Sequence, residues 1–362
     1  MQRRNFLKTL GAGAAGVAAT PFVSTAQAQE TITWDMVTSW PRNFPALGTG
    51  ANEFAQRVEE LSGGRMRIRV HGAGELVPAM EVFDAVAAGT AEMGHSAAYY
   101  WRGKVAASQF FTAVPFGMNT TETNAWLYHG GGQELWDEVY AKHNLKPFAV
   151  GNTGTQMAGW FKKEIHSLAD MQGIRLRLPG LAGEAMNRIG VTTVNMPASE
   201  IFTSLQTGVL DAADWVGPYN DMALGLYQVA DYYYTSVWNE PSAVLEGTIN
   251  LDAWNALPDD LKAVVREAAK ASNLAMISEF AYRNAQALET LVDEHGVQLR
   301  TFPEDVMQAL YESSMEVVQA QVDSDPDSAR VYESYLAFQK LVRPFSDIGE
   351  YSYLKGREIA GA

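Results

Sequence analysis

Two arginines stand close together in the stretch Gly173-Ile174-Arg175-Leu176-Arg177-Leu178-Pro179. Ile174, Leu176 and Leu178 alternate with Arg175 and Arg177, so a strand here has one apolar and one cationic face. Gly173 closes the preceding loop, and Pro179 stops the strand where a helical pattern begins. A planar guanidinium at a strand end suits a carboxylate, because it can form two parallel hydrogen bonds. The alternative is a pair of solvated arginines on an edge strand.

A second group of residues is rich in oxygen. Asp214, Glu240 and the side-chain amide of Gln156 fall at predicted strand ends or in loops beside aromatics. Sodium and calcium take oxygen ligands, main-chain carbonyls included. Three surface polar residues are the alternative. With a cation near Arg177, a 2-oxo acid gains two complementary contacts. Arg177 takes the carboxylate, and the cation chelates a carboxylate oxygen with the 2-oxo oxygen. Tyr99 and Tyr100 supply hydroxyl donors and a pocket wall.

Other chemistries are poorly served. His129-Gly130-Gly131-Gly132 and Gly94-His95-Ser96-Ala97-Ala98 imitate the oxyanion loop and nucleophile elbow of a serine hydrolase. Their order is reversed, and Ala98 replaces the elbow's second glycine. The glycines read as a helix–helix turn and Ser96 as a strand residue. Zinc needs clustered ligands. His71, His95, His129, His143, His166 and His295 are scattered, and there is no cysteine. Gly151-Asn152-Thr153-Gly154 lacks the helix that a phosphate or dinucleotide loop requires.

The elements that must hold these residues follow an α/β pattern. The 362 residues suffice for two domains. Strands are expected at 31–37, 65–71 and 91–98, with helices at 47–61 and 78–89 between them. That alternation implies a parallel sheet. Helices over 121–129 and 133–143 lead to strands at 147–150 and 156–161. The strand at 173–178, helices at 183–189 and 199–207, and strands at 191–194 and 209–215 form a second α/β unit. A weak echo links the units. Glu81-Val82-Phe83 leads to Gly89 and Glu92, and Glu200-Ile201-Phe202 leads to Gly208 and Asp211 at the same spacing. Coincidence and duplication both account for it. Ligands in such sheets sit beyond the strands' carboxyl ends, so two facing units make a cleft.

The expected domains are therefore 29–150, with a returning strand at 243–250, and 151–242. Residues 251–302 supply a spanning helix and a strand. The helix runs from Pro258 to about Glu294, roughly 55 Å. Residues 303–362 hold helices near 303–323 and 327–342 and a short tail.

Charge and leader narrow the setting. The formal charge of −15 argues against nucleic acid and anionic membrane surfaces as partners. Arg3-Arg4-Asn5-Phe6-Leu7-Lys8, an apolar run from Leu10 to Val23 and Ala26-Gln27-Ala28 read as a twin-arginine signal peptide, residues 1–28. Its removal takes the charge to about −18. The mature protein is expected to be soluble and exported.

Three segments then fall in a familiar order. They are Gly151-Asn152-Thr153-Gly154-Thr155-Gln156-Met157, Asp170-Met171-Gln172-Gly173-Ile174-Arg175-Leu176-Arg177, and Leu210-Asp211-Ala212-Ala213-Asp214-Trp215-Val216-Gly217-Pro218-Tyr219. The chain resembles the extracytoplasmic solute-binding proteins of tripartite ATP-independent periplasmic (TRAP) transporters, and within them the branch that binds 2-oxo acids such as pyruvate. The resemblance covers nearly the whole mature chain, including Gly74-Glu75-Leu76-Val77-Pro78 and Trp126 to Gly132.

The resemblance implies roles for matching positions. Arg177 pairs with the ligand carboxylate and Tyr100 hydrogen-bonds the ligand. Gln156, Asp214, Glu240 and the main-chain oxygen of Trp215 hold the cation, sodium or alternatively calcium. Arg175 stands where many relatives have lysine, and Trp101-Arg102 extends the aromatic run differently, which bears on the outer pocket wall. The implied fold is two α/β domains with a hinge and a long spanning helix. The implied partners are a TRAP membrane permease and a second copy of the chain, through residues 327–342. The implied place is the periplasm. A non-enzymatic solute receptor is thus expected. The contrasting reading is an exported metal-assisted hydrolase, which would need an activated water or a nucleophile–base pair.

Overall fold

A computed structural model describes residues 31–235 and 237–361. The leader lies outside them. Eleven strands occur among the described residues: β1 (Ile32–Thr38), β2 (Met66–His71), β3 (Met93–Ser96), β4 (Leu145–Asn152), β5 (Gly159–Phe161), β6 (Arg175–Arg177), β7 (Thr192–Val194), β8 (Ala212–Ala213), β9 (Tyr232–Tyr234), β10 (Val244–Asn250) and β11 (Gln298–Arg300). The α-helices are α1 (Leu47–Leu61), α2 (Val82–Ala87), α3 (Thr120–His129), α4 (Gly132–Ala141), α5 (Gly180–Arg188), α6 (Ala198–Gln206), α7 (Pro218–Ala223), α8 (Leu251–Ala256), α9 (Asp259–Glu289), α10 (Glu304–Ser324), α11 (Pro326–Ser346) and α12 (Ser352–Ala360).

The strands build two sheets, in the orders β2-β1-β3-β10-β4 and β7-β6-β8-β5-β9-β11. The first five positions correspond strand for strand. β1 pairs in parallel with β2 and β3, as β6 does with β7 and β8. β10 and β5 then add antiparallel in the two sheets. The sequence echo is therefore an echo of topology. Glu92 accepts the main-chain N–H of Asp35 at 2.8 Å, and Asp211 accepts that of Arg175 at 3.0 Å. Gly89 and Gly208 turn the chain before them, with φ of 73° and 78°. A residue with a Cβ is strained there.

Several expected strands are shorter than the pattern suggested. Residues 209–215 contribute only Ala212–Ala213 as regular strand. Asp211 and Asp214 still donate their N–H groups to the Arg175 and Arg177 carbonyls. Residues 156–158 are a loop rather than the start of β5, because their N–H groups go to Glu240, Val216 and Tyr234 on three separate segments. Ala97 and Ala98 leave β3 for a tight helical turn, Ala98–Trp101. The triple glycine is the α3–α4 turn, and Ser96 is buried on β3 against the Ser39 hydroxyl.

The helix α9 spans both sheets, as its length implied. Near its middle Asn273 donates to Asn124 and Tyr128, both at 2.9 Å. Further on, Asn284 accepts from the Tyr219 N–H at 3.0 Å. Between them Met276 lies so close to Gly151 that a Cβ there would stand 2.5 Å from its sulfur. The segment after α11 is not a loose tail. It continues through a helical turn into α12. The first half of α11 packs on its own body, burying Val331 and Tyr335. The exposed apolar side chains lie beyond it, at Leu341, Phe345, Ile348, Tyr353, Leu354 and Ile359. No helix among the described residues is long and apolar enough to cross a membrane.

Candidate functional site

Arg177 ends β6 and is 1% exposed, whereas Arg175, two residues earlier on the same face, is exposed and paired with Asp211. The difference is position. The strand's last residue reaches under the turn Ala98–Trp101, while Arg175 meets solvent. Arg177 spends three N–H groups on neutral oxygens: the Met196 carbonyl at 3.3 Å, the Asp214 carbonyl at 2.8 Å and the Tyr100 hydroxyl at 3.2 Å. Its guanidinium carbon lies 4.9 Å from the Trp215 ring centre. A guanidinium has five donors, so one N–H on each terminal nitrogen remains for a ligand. Burial opposes its charge, but Tyr100, Tyr99, Asp214 and Glu240 together more than offset that and raise its pKa.

Tyr99 and Tyr100 come from the turn after β3, with rings 4.9 Å apart. Burial pushes both hydroxyls up, and Glu240 adds to it; Tyr100 rises less because the Arg177 guanidinium and its hydrogen bond pull the other way. Both are therefore protonated donors at neutral pH. Trp101 does not wall the pocket. It turns into the first lobe, where its indole N–H binds buried Glu246. Arg102 reaches across to Glu184 on α5.

The three oxygen donors are each 2% exposed. Gln156 gives its main-chain N–H to the Glu240 carbonyl at 3.1 Å and its side-chain N–H to Thr153 at 3.0 Å, leaving Oε1 without a partner. Asp214 has only a long contact from Asn239, 3.4 Å to Oδ1, and its Oδ2 is unpartnered. Oε2 of Glu240 is likewise unpartnered. Burial, then Glu240, raises Asp214 well above the usual carboxylate range. Burial raises Glu240 to about 7, with Arg177 pulling the other way. Three buried oxygens without donors are costly alone. They are a fitting set for a hard cation. No cluster of three His, Cys, Asp or Glu occurs among the described residues. The set is two carboxylates and an amide oxygen, which suits sodium or calcium rather than zinc.

Trp215 sits between Arg177 and two aromatics of the other lobe. Trp40 and Phe44 each stand 6.2 Å from its ring centre. The reading from sequence missed Trp40 and Phe44. They follow β1 at its carboxyl end, the rule that had marked Tyr99, but Pro41 made the segment look like plain loop. It also missed Asn239 and the Met196 carbonyl, which carry no signal outside the fold.

Residues 36–325 match the family model of bacterial extracellular solute-binding protein, family 7, known as DctP. The chain belongs to that family. A DctP-family chain is a solute receptor of TRAP transporters, extracytoplasmic and not an enzyme. This one is 40% identical over 363 residues to a monocarboxylate 2-oxoacid-binding periplasmic protein of Nostoc sp., with 98% of each chain covered. It is similar to a crystal structure of a TRAP periplasmic solute-binding protein from Pseudoalteromonas atlantica with bound sodium and pyruvate. That match has a TM-score of 0.88 and 38% identity, covering 90% of this chain and 99% of that one. A Bordetella bronchiseptica TRAP solute-binding protein gives a TM-score of 0.89 and 35% identity, covering 92% and 98%. That structure is a mixed-occupancy dimer with copurified calcium and picolinate in one site and the other site apo.

Proposed function

We propose that this receptor captures a small 2-oxo monocarboxylate, pyruvate or a close analogue, together with sodium or calcium, and passes it to a membrane permease. The observation that carries the reading is one buried arginine with two unused N–H groups beside three buried oxygens that lack donors. The relatives described above, with pyruvate and sodium or with calcium and picolinate, support it.

Arg177 takes the ligand carboxylate, and Tyr100 and Tyr99 donate to its oxygens. Gln156, Asp214, Glu240 and the main-chain oxygen of Trp215 hold the cation. When bound, the cation supplies a positive centre that chelates a carboxylate oxygen and the 2-oxo oxygen together. Charge explains the need for it. Arg177 against Asp214, Glu240 and a monoanion leaves a surplus of negative charge, which burial makes expensive. The lobes are assigned as 29–150 with 243–250, and 151–242. Their closure brings Tyr99 and Tyr100 onto Arg177.

Export follows the twin-arginine route in this reading, supported by the order of residues 3–28. The chain pairs with a second copy through its C-terminal helices, residues 327–342 together with the exposed apolar side chains of Leu341, Phe345, Ile348, Tyr353, Leu354 and Ile359. A thermal-shift screen of small carboxylates, with and without each cation, tests the reading. Ligands that bind only the folded form raise Tm. A rise with pyruvate that needs sodium or calcium is expected. No rise with any 2-oxo acid would contradict it.

A further inference from the structure

Beside Asp214 lies a carboxylate whose two oxygens are both taken by donors of the protein itself. Asp221, on α7, is 1% exposed. It accepts four hydrogen bonds. Oδ1 takes the main-chain N–H groups of Val216 and Gly217, both at 3.1 Å. Oδ2 takes the Trp160 indole N–H at 2.9 Å and the Tyr233 hydroxyl at 2.7 Å. The Trp160 and Tyr233 rings stack 4.0 Å apart, on neighbouring strands β5 and β9. Asp221 thus ties the loop after β8 to the floor of its sheet.

The loop it ties carries the carbonyls beside the site. Arg177 occupies the Asp214 carbonyl at 2.8 Å, and the Met157 N–H occupies that of Val216 at 3.1 Å. The carbonyl between them, of Trp215, has no such partner among the described residues. Its direction is set by the peptide that follows, whose N–H belongs to Val216 and is held by Asp221. A peptide unit is planar, so fixing that N–H fixes the Trp215 carbonyl opposite it.

We infer that Asp221 is a positioning residue for the cation. By gripping the Val216 and Gly217 N–H groups it aims the Trp215 carbonyl at the metal. The inference rests on the reading of the site given above. Partners one step behind a metal's ligands commonly govern affinity by orienting them.

The test uses the full mature protein, and the probes are calcium alone and pyruvate. Calorimetry measures calcium affinity of the wild type, Asp221→Ala and Asp221→Asn, then pyruvate affinity at low and at saturating calcium. Asp221→Ala is expected to weaken calcium binding about tenfold or more. Its pyruvate affinity at saturating calcium returns to within about threefold of wild type, since the ligand's own contacts are intact. Asp221→Asn keeps an oxygen for the two N–H groups and recovers most of the calcium affinity. Unchanged calcium binding in Asp221→Ala overturns the inference. So does a pyruvate defect that calcium fails to rescue, or an asparagine variant as weak as the alanine one. If Asp221→Ala does not fold, Tyr233→Phe loosens the same carboxylate by one donor. A smaller calcium defect with the same rescue is expected of it, and none overturns the inference. A wild type that binds pyruvate without any cation would instead overturn the reading of the site itself.

Discussion

Arg177 donates to the main-chain carbonyl of Asp214 at 2.8 Å, while the Asp214 N–H donates back to the Arg177 carbonyl at 2.9 Å. The group proposed to take the ligand's carboxylate and the segment proposed to offer oxygens to the cation are thus locked together. In the proposed site, ligand and cation would meet one seam, at the junction of β6 and β8.

Replacing Arg177 by alanine removes the only guanidinium among these contacts and leaves a buried carboxylate unpaired. Pyruvate affinity is expected to fall by about 2–5 kcal/mol. Arg177→Lys recovers little, because a single ammonium cannot reproduce the fork. Calorimetry at fixed calcium checks both, and unchanged affinity in Arg177→Ala would exclude this residue from the site.

Gln156→Ala is expected to act through the cation. Its unpartnered Oε1 is lost, while the main-chain bond to Glu240 stays. Pyruvate binding should weaken at low calcium or sodium and recover as the cation is raised. A defect of equal size at every cation concentration would place Gln156 elsewhere.

Much of this was readable from the chain, and the reason is physical. Arg177 announces itself because a strand pattern ends on it, and strand ends of parallel sheets face the cleft. The repeat of Glu81 to Glu92 in Glu200 to Asp211 was visible because both helices must end on a left-handed glycine and return to a strand. Asp221 was not visible. Its partners Trp160, Tyr233 and Val216 come from segments that meet only in the folded sheet. Trp101 could not be placed from sequence for the same reason, since the Glu246 that turns it inward lies 145 positions away. The extent of strand at 209–215 was overestimated because alternation cannot report that neighbouring segments there are irregular.

Acid should stabilise the cation-free, ligand-free protein. Burial raises Glu246 to about 7, against the donors Trp101 and Tyr140, and raises Glu240 to about 7 and Asp221 to about 6. A carboxyl raised in the folded state holds its proton more tightly there than when unfolded. Its stabilising share is full below about pH 4.5 and is lost as pH rises through about 7. Tm is therefore expected to be higher at pH 5.5 than at pH 8. Glu246→Gln removes on the order of 2 kcal/mol of that difference. An unchanged slope in the variant would contradict the placement of Glu246.

Deleting residues 347–362 removes Ile348, Tyr353, Leu354 and Ile359, which are all more than half exposed. The full mature chain is expected to sediment as a dimer and the shortened one as a monomer with pyruvate affinity retained. A full chain that is monomeric at micromolar concentration would contradict the pairing.

A crystal structure of the mature protein with pyruvate and calcium tests the central claim most directly. The expected map shows the carboxylate on both free N–H groups of Arg177. It also shows the ion about 2.3–2.6 Å from oxygens of Gln156, Asp214, Trp215 and Glu240. Pyruvate bound without the ion, or an ion bound away from those four residues, would contradict it.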